Sequence, residues 1–492
     1  MTLVPAVVLG SELLYAIGSI VYNLYFHPLR KIPGPRLAAA TEFPFIFNRC
    51  FGLQVRWTKR LHDKYGEVVR VAPRQLSYAS AGAWKDIYGH RIAGKPALPK
   101  DLNFYGPDLV GSNGITRSNE EDHARQRRLL SHAFSEKALH DHQAVMQRHV
   151  DILIQKLGEL GAVDGVDMSQ MYSYCAFDTI ADMLFGASLN MLESTDYRPW
   201  AVALIGAVKT FALLPAIKAS YPVLSATLRR IFVPEQLFKQ RDLHGQYTRH
   251  FVDTRLESKT NNQDIWSFMI NRNGESKAVP LHEMYAIGGV LMGAGGETSS
   301  TLLSGLTYHL LRNPDKMATL TEEVRGAFKD PSEMDSARLG QLPYLRACIQ
   351  EGLRIYPPAA TGMPRVVPPG GSVISGTTIA AGTTVYVSPF AAHRSSANFY
   401  EPDQFLPERW FDEPEEKYAN DVLDVMQPFL YGPRNCIGKN LANIMMRRIL
   451  ANVLWHYDLE LCPEVGKWDD QIVFTNWQKP PLMCKLKPVV RE

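Results

Sequence analysis

The 492-residue sequence lacks the features that mark several broad classes of protein. Its six cysteines include no CxxC pair and follow no regular spacing, which argues against a disulfide framework or a structural zinc site. The net charge of +3 is small, so the composition gives no indication of a nucleic-acid partner. Internal repeats, low-complexity tracts and interdomain linkers are also missing. What remains is an ordinary globular composition, 46% hydrophobic and 21% charged, with enough chain for a large core.

Nucleotide-binding motifs are missing as well. The sequence contains no Walker loop, and no G-x-G-x-x-G run stands between a predicted strand and a predicted helix. We therefore expect the chain to have no nicotinamide or flavin domain of its own.

The N-terminus carries a long apolar run, residues 3–26, in which Glu12 is the only charged residue. A helix of this length covers about 36 Å, enough to cross the hydrocarbon core of a bilayer. No Lys or Arg precedes the run, which argues against a cleaved signal peptide, and basic residues follow it, which favours a cytosolic body. We predict a membrane anchor over residues 1–26. The alternative is a terminal helix packed on the globular body.

The rest of the chain is predicted to form a short spacer and one large domain. Three prolines in residues 27–36 prevent the anchor helix from continuing and stiffen this spacer. Residues 37–492 are predicted to form a mainly α-helical domain with a minor β region. The helical period is clearest in residues 123–150, 281–312, 344–356 and 440–457, and strands are predicted in residues 68–80 and 383–389.

The segment FLYGPRNCIG lies just ahead of the last long predicted helix. A thiolate at Cys436 would sit at that helix's N-terminus, where the dipole and free N–H groups would lower its pKa. Gly432 permits a tight turn, and Gly438 leaves room for a flat macrocycle to approach the backbone. Phe429 can cover the sulfur and exclude water, and Arg434 can reach a carboxylate at the ligand's rim.

This segment resembles the haem-binding loop of cytochrome P450 enzymes, F-x-x-G-x-R-x-C-x-G, and every fixed position is present. The resemblance implies the cytochrome P450 fold, haem b as cofactor and Cys436 as the axial ligand of its iron. Cysteine ligation favours O–O cleavage, so the implied reaction inserts one oxygen atom from O2 into a small apolar substrate. The alternative for Cys436 is a thiol buried in the core.

Glu351 and Arg354 stand three residues apart on one predicted helix, and Arg409 follows in FLPERW. These residues match the family's E-x-x-R pair and its partner arginine. The resemblance implies a buried ionic network with a structural role, whereas the spacing alone would also suit a surface pair.

Glycines 293, 295 and 296 lie within the helix predicted over residues 281–312, where each costs about 0.5–1 kcal/mol relative to Ala. The stretch AGGETSS matches the family's A/G-G-x-D/E-T-T/S signature. The resemblance implies a locally loosened helix that accommodates O2, with Thr298 and Glu297 handling protons. A nucleotide-binding glycine loop lacks its preceding strand here, and close helix–helix packing is the other alternative.

Three further residues are candidate contacts for the haem propionates by the same resemblance. His123 and Arg127, in HARQR, occupy the place where many family members have W-x-x-x-R, and His still offers a ring N–H donor. Arg365, in MPRVVP, is the third. Solvated surface charge is the alternative for both arginines.

The resemblance also implies partners and a location. Electrons would come from a separate NADPH–cytochrome P450 reductase, and the enzyme would sit in the endoplasmic reticulum membrane, contacting lipid, with its domain facing the cytosol. A basic patch could dock the reductase, although a solvated face explains the same charges: Arg125, Arg128, Lys137 and Lys439.

The segments YNLYFHPLRKIPGP and RRLLSHAFSEKAL are most similar to filamentous-fungal members of secondary metabolism, such as trichothecene-pathway hydroxylases. This suggests a terpenoid, polyketide or alkaloid substrate. Substrate contacts are expected from residues 103–115, 201–222, the helix face near Val290, residues 360–363 and residues 474–477. The rival functions are a haem–thiolate isomerase or dehydratase that uses no external O2, and a haem-binding sensor or carrier without turnover.

Overall fold

Over the residues that the structure describes, the fold is mainly helical and has three small sheets. The computed structural model describes residues 14–90, 97–105, 113–161, 165–221, 225–258, 264–269 and 279–490. The first 13 residues of the predicted anchor therefore lie outside the described residues. The mainly α-helical domain with a minor β region that the sequence predicted is confirmed.

The helices follow one another along the whole described chain. In chain order they are α1 (Leu14–Phe26), α2 (Arg36–Ala40), α3 (Phe43–Cys50), α4 (Gln54–Tyr65), α5 (Ala81–Tyr88), α6 (Leu102–Tyr105), α7 (Glu120–Ala133), α8 (Glu136–Asp141), α9 (Gln143–Gly161), α10 (Met168–Phe185), α11 (Arg198–Ser220), α12 (Ser225–Phe232), α13 (Glu235–Glu257), α14 (Leu281–Arg312), α15 (Pro314–Ala327), α16 (Ser336–Gly340), α17 (Pro343–Ile355), α18 (Pro389–His393) and α19 (Lys439–His456). Short 3₁₀ turns occupy Pro28–Lys31, Ile265–Phe268, Pro331–Glu333, Pro407–Trp410, Glu416–Tyr418, Leu423–Val425, Gly432–Arg434 and Pro463–Val465.

Within the part of the chain that the structure describes, nine strands form three sheets. They are β1 (Val68–Ala72), β2 (Gln75–Tyr78), β3 (Val166–Asp167), β4 (Arg365–Val366), β5 (Ser372–Ile374), β6 (Thr377–Ile379), β7 (Thr384–Val387), β8 (Tyr457–Leu461) and β9 (Met483–Pro488). The four-stranded sheet has the order β1-β2-β7-β4, the three-stranded sheet β3-β9-β8, and β5 pairs with β6. β2 and β7 run parallel, with Gln75 opposite Thr384, so the two strand regions predicted from the sequence meet in one sheet.

Helix α14 is the central element of the core. Its bounds coincide with the helix predicted over residues 281–312, and most of its side chains are buried. It packs along α10, in which all but three of the 18 residues are buried, so both helices are apolar on nearly every side. This arrangement leaves one face of α14 free to border a cavity.

The glycine cluster of α14 serves close helix packing. A Cβ at position 295 would lie 2.6 Å from a side-chain carbon of Ile180, and one at position 296 would lie 2.5 Å from the ring of Phe177, both on α10. The helix is α-helical throughout. The glycines therefore fit the alternative of close helix packing, because the missing side chains make room for α10. A loosened turn that accommodates O2 stays a prediction.

A buried ionic network joins α17 to the segment that follows α18. The carboxylate of Glu351 accepts hydrogen bonds from Arg354 at 2.7 and 2.8 Å and lies 3.4 Å from Arg409 Nε, and all three side chains are fully buried. Arg409 also pairs with Asp421. Arg354 donates to three backbone carbonyls, those of His393, Pro402 and Gln404. Burial favours the neutral acid, but the charges and hydrogen bonds of these arginines outweigh it and lower the pKa of Glu351.

Two helices bear on the membrane question. α1 is apolar and solvent-exposed, with Leu14 and Tyr15 more than two-thirds exposed. Among the described residues one helix, α11, is long and apolar enough to cross a membrane, but 59% of its most apolar window is buried inside the protein. We therefore assign α11 to the core on the basis of its packing.

The packing of α14 on α10 predicts a large effect of one methyl group. Gly296→Ala should lower the stability by about 1–3 kcal/mol, because the Phe177 ring fills the space that the methyl group needs. The thermal unfolding midpoint of the purified protein measures this effect. Gly326→Ala in α15 is the matched control: nothing lies within 4 Å of its Cβ position, so it should be neutral or slightly stabilising. Equal midpoints for Gly296→Ala and wild type would contradict the packing argument.

Candidate active site

A cavity of about 530 Å³ lies between α14 and the loop that precedes α19. Its wall includes Ala294, Gly295 and Thr298 on one side and Cys436 on the other. Every segment expected to contact substrate contributes to the wall: Phe104, Tyr105 and Ile115; Val208 and Ala212; Val290; Thr361 and Met363; and Thr475. The central part of the first segment, residues 106–112, lies outside the described residues. The wall is mostly apolar, as in small-molecule sites.

The loop carrying Cys436 has a strained turn that only glycine can adopt easily. Gly432 has φ of +76°, and a Cβ there would clash with the carbonyl oxygen of Tyr88. Gly438 is the N-cap of α19, and a Cβ at this position would have no atom nearer than 3.9 Å. The Cys436 N–H donates to the carbonyl of Phe429 at 2.8 Å, which closes the loop. The sulfur therefore stands at a helix N-terminus and faces the cavity.

The pKa of Cys436 differs in direction from the sequence-based expectation. Burial raises the pKa of the thiol, although the Gly438 N–H and the charges of Arg127 and Lys439 act in the opposite direction. The pKa of the thiol in the protein alone is therefore not shifted in the expected direction, although Cys436 is exposed to the cavity, and the expectation for a metal-bound thiolate stays a prediction. A metal cation at the sulfur would supply the missing positive charge.

Thr298 and Glu297 are neighbours in sequence but point to different places. Thr298 lines the cavity, and its hydroxyl donates to the carbonyl of Ala294 at 2.5 Å. The buried carboxylate of Glu297 is not part of the cavity wall. It accepts hydrogen bonds from Lys479 at 2.8 Å and from the Thr301 hydroxyl at 3.2 Å. Of the two predicted proton-handling residues, only Thr298 borders the cavity.

Lys479 is a residue that the sequence analysis missed. It is almost fully buried, forms an ion pair with Glu297 and donates to Thr301 at 2.7 Å. The two partners of the ion pair are 182 positions apart, and no local pattern marks a lysine between a glutamine and two prolines. Only the fold brings them together.

A cluster of positive charges surrounds His123 at the edge of the cavity. Burial and four nearby cations lower the pKa of His123 to about 3, so the ring is neutral near pH 7 and offers one N–H donor. The cations are Arg434, Lys100, Arg127 and Arg365. The three predicted arginines thus gather around the predicted histidine, and Lys100 joins them without having been predicted.

This cation cluster fits a ligand that carries carboxylates. Arg127 donates to the carbonyl and side-chain oxygens of Asn435 at 2.6 and 2.5 Å, and Arg434 pairs with Glu120 at 2.9 Å. Within the described ranges, Nη1 of Arg434 and Nε of Arg365 are buried and have no hydrogen-bond partner. Buried guanidinium groups with spare donors are suited to binding carboxylates. A haem carries an iron that needs a ligand and carboxylates that need cations. The thiol on one side of the cavity and the cations at its edge match these two requirements.

The comparisons with known proteins agree with this geometry. The family model for cytochrome P450 matches residues 44–485. An averantin hydroxylase of Dothistroma septosporum is 41% identical over 487 residues, which cover 98% of this chain and 90% of that protein. The cytochrome P450 monooxygenase efuB of Hormonema carpetanum is 40% identical over 98% of this chain and 96% of its own length.

A third relative shows the same coverage. The cytochrome P450 monooxygenase FUM2 of Gibberella moniliformis is 38% identical over 94% of this chain and 99% of its own length. The family model and these relatives each span nearly the whole domain that carries the cavity. The chain therefore belongs to the cytochrome P450 family and is a cytochrome P450 monooxygenase.

Proposed function

We propose that this enzyme inserts one oxygen atom from O2 into a small, mainly apolar molecule of fungal secondary metabolism, by hydroxylation or epoxidation. The observation that carries the proposal is the pairing of Cys436 with Thr298 across one apolar cavity. Family membership supports this reaction class, because it implies a cysteine-ligated haem, O2, a substrate and a redox partner. A fungal relative named averantin hydroxylase supports hydroxylation of a fungal metabolite, while the choice among a terpenoid, a polyketide and an alkaloid rests on the sequence resemblance alone.

The residues of the site divide the work of holding haem b. Cys436 would bind the iron, with Phe429 shielding the sulfur and Gly438 leaving space for the ring. His123, Arg127, Arg365 and Arg434 would hold the propionates, and Gly432 would fix the loop. The bound haem supplies the oxidising chemistry, while the protein provides binding, dryness and protons.

Thr298 is proposed to manage protons at the cavity wall. Its hydroxyl already donates to Ala294, so its oxygen is free to accept from a water in the cavity. Glu297 lies behind this wall in its ion pair with Lys479, and would replenish protons only when its carboxylate rotates towards the cavity. A proton-delivery role of this kind favours a monooxygenase over an isomerase or a haem carrier.

An exposed aromatic and basic surface on α3 and α12 supports attachment to the endoplasmic reticulum membrane, with the catalytic domain on the cytosolic side. Phe43, Phe47 and Phe51 form an exposed aromatic stripe along α3, and Phe51 contacts Phe232 of α12 with ring centroids 5.9 Å apart. Arg229 and Arg230 are exposed on α12. Aromatic and basic side chains at one surface are typical of the membrane interface.

Electrons are proposed to come from an NADPH–cytochrome P450 reductase. Of the predicted docking residues, Arg128, Lys137 and Lys439 are exposed. Arg125 donates to Glu283 at 2.7 and 2.9 Å, so its charge is largely neutralised within the protein. The first three residues therefore remain the candidate patch.

The sulfur ligand can be tested by spectroscopy. The reduced, CO-bound protein should show the red-shifted Soret band of thiolate ligation. Cys436→Ala should lose this band, because no other described cysteine lines the cavity. Cys462→Ala, a change at a buried cysteine away from the cavity wall, is the control and should keep the band. A wild-type spectrum typical of histidine-ligated haem would refute the proposal.

The oxygenase function can be tested at Thr298. Thr298→Ala should keep haem and ligand binding but divert NADPH-derived electrons into hydrogen peroxide, because ordered proton delivery is lost. Thr298→Ser keeps the hydroxyl and should retain most of the product yield per NADPH. The peroxide formed and the NADPH consumed are measured in the same reaction, with purified reductase present. An unchanged product yield per NADPH in Thr298→Ala would show that the role proposed for Thr298 is wrong. An isomerase or a carrier would consume no electrons in either variant.

Membrane attachment can be tested by fractionation. Deleting residues 1–26 should release part of the protein from membranes. Changing Phe43, Phe47 and Phe51 to Ser in the shortened protein should release most of the remainder, because three exposed aromatic rings are lost. Leu423→Ser, at an exposed apolar residue outside this stripe, should release no more. Full-length protein in the supernatant would show that the membrane assignment is wrong.

A further inference from the structure

Arg49 is a buried cation that faces the cavity and takes no part in the cluster around His123. It lies on α3, its side chain is one of the cavity-lining groups, and only 5% of the residue is exposed. The charges that act on His123 are Arg434, Lys100, Arg127 and Arg365, so Arg49 is a separate feature. The sequence analysis did not select it, because nothing in FPFIFNRC distinguishes it from a surface arginine.

The partners of Arg49 use only a small part of its hydrogen-bonding capacity. Its Nε donates to the carbonyl of Ala212 on α11 at 2.8 Å, and the guanidinium lies over the ring of Phe104, 4.9 Å from the centroid. Within the described part of the chain, its two terminal nitrogens donate no hydrogen bond and no carboxylate lies within 4.0 Å of it. A guanidinium has five N–H donors, so four remain for a ligand.

The carboxylate that acts electrostatically on Arg49 does not neutralise its charge. Asp101 acts on Arg49 electrostatically, but its oxygens accept from the Asn103 N–H and from the Thr384 hydroxyl, each at 2.9 Å. Arginine stays protonated at neutral pH even when burial makes the charge less favourable. Burying a charge without an ionic partner is costly, and an apolar cavity offers no compensation from solvent. An anionic ligand group would remove this cost.

We propose, on the basis of the monooxygenase function above, that Arg49 is a specificity-determining residue that binds the acidic group of the substrate. The geometry points to an apolar, aromatic molecule carrying one carboxylate or phenolate. The Arg49 guanidinium would bind the anion through its terminal nitrogens. Phe104 and the apolar wall of α11 would then hold the body of the substrate between this anchor and Thr298.

The direct competitor is a purely structural role, in which Arg49 only joins α3 to the carbonyl of Ala212. That role uses one N–H and does not require a charge, so a neutral donor would serve it equally well. Binding of an anion requires the charge. The two roles therefore differ in how the protein discriminates between a carboxylate and its uncharged amide.

The test compares the binding of 2-naphthoate and 2-naphthamide to the haem-loaded protein by equilibrium dialysis at pH 7.5. The wild type should bind the carboxylate about tenfold more tightly, a difference of about 1.4 kcal/mol. Arg49→Met and Arg49→Gln should bring the ratio of the two affinities close to one, with the amide bound almost as before. Arg49→Lys should retain part of the preference, because it keeps the charge but loses the forked geometry.

Arg60→Met is the matched control, because Arg60 is an exposed arginine on the neighbouring helix α4 and its loss changes the net charge equally. It should leave the ratio unchanged. The proposal is overturned if the wild type does not prefer the carboxylate, or if Arg49→Gln keeps the preference. If Arg49→Met does not fold, the comparison of Arg49→Gln with Arg49→Lys shows whether the preference for the carboxylate requires the charge. Dialysis needs neither NADPH nor O2, so the result is independent of the Thr298 experiment.

Discussion

The fully buried pair of Glu351 and Arg354 holds together the part of the fold on which the site depends. Arg354 binds the carbonyl of His393 at the end of α18 and two carbonyls of the segment after it. Glu351 accepts from the Leu406 N–H and the Trp410 indole. Removing one partner of such a pair leaves an uncompensated charge and costs about 3–5 kcal/mol. The segment that it fixes leads directly to the loop carrying Cys436. The position of the sulfur is therefore determined by an ionic contact that never touches the cavity.

Charged side chains border the apolar cavity at several separate places. The cluster at His123 provides cations at one edge, the sulfur of Cys436 lies on one wall, and Arg49 adds a further cation from α3. Each borders a mostly apolar cavity, where hydrogen bonds to a ligand of the matching charge are stronger than in water. A ligand is thus oriented by several charged contacts while its body remains in apolar surroundings.

The sequence predicted the parts of the fold that depend on local patterns. The bounds of α14, the strand regions at β1–β2 and β7, and the residues gathered at the cavity followed from periodicity and from a resemblance carried by contiguous motifs. Contacts between distant segments could not be predicted in this way. The ion pair of Glu297 with Lys479 is one example, and the exposure of Arg49 to the cavity is another. The glycines of α14 show the same limit, because the sequence reveals that side chains are missing but not which neighbour fills the space.

The contacts of the Cys436 loop also bear on the order in which the protein can be completed during synthesis. The Trp84 indole donates to the carbonyl of Val425 at 2.9 Å, and Arg127 binds Asn435. Each of these contacts joins two segments that are more than 300 positions apart in the chain. A ribosome synthesises Lys100, His123 and Arg127 long before the sulfur. The early segments must therefore remain without their final partners until the last helix has emerged, so the cavity is completed only in an almost complete chain.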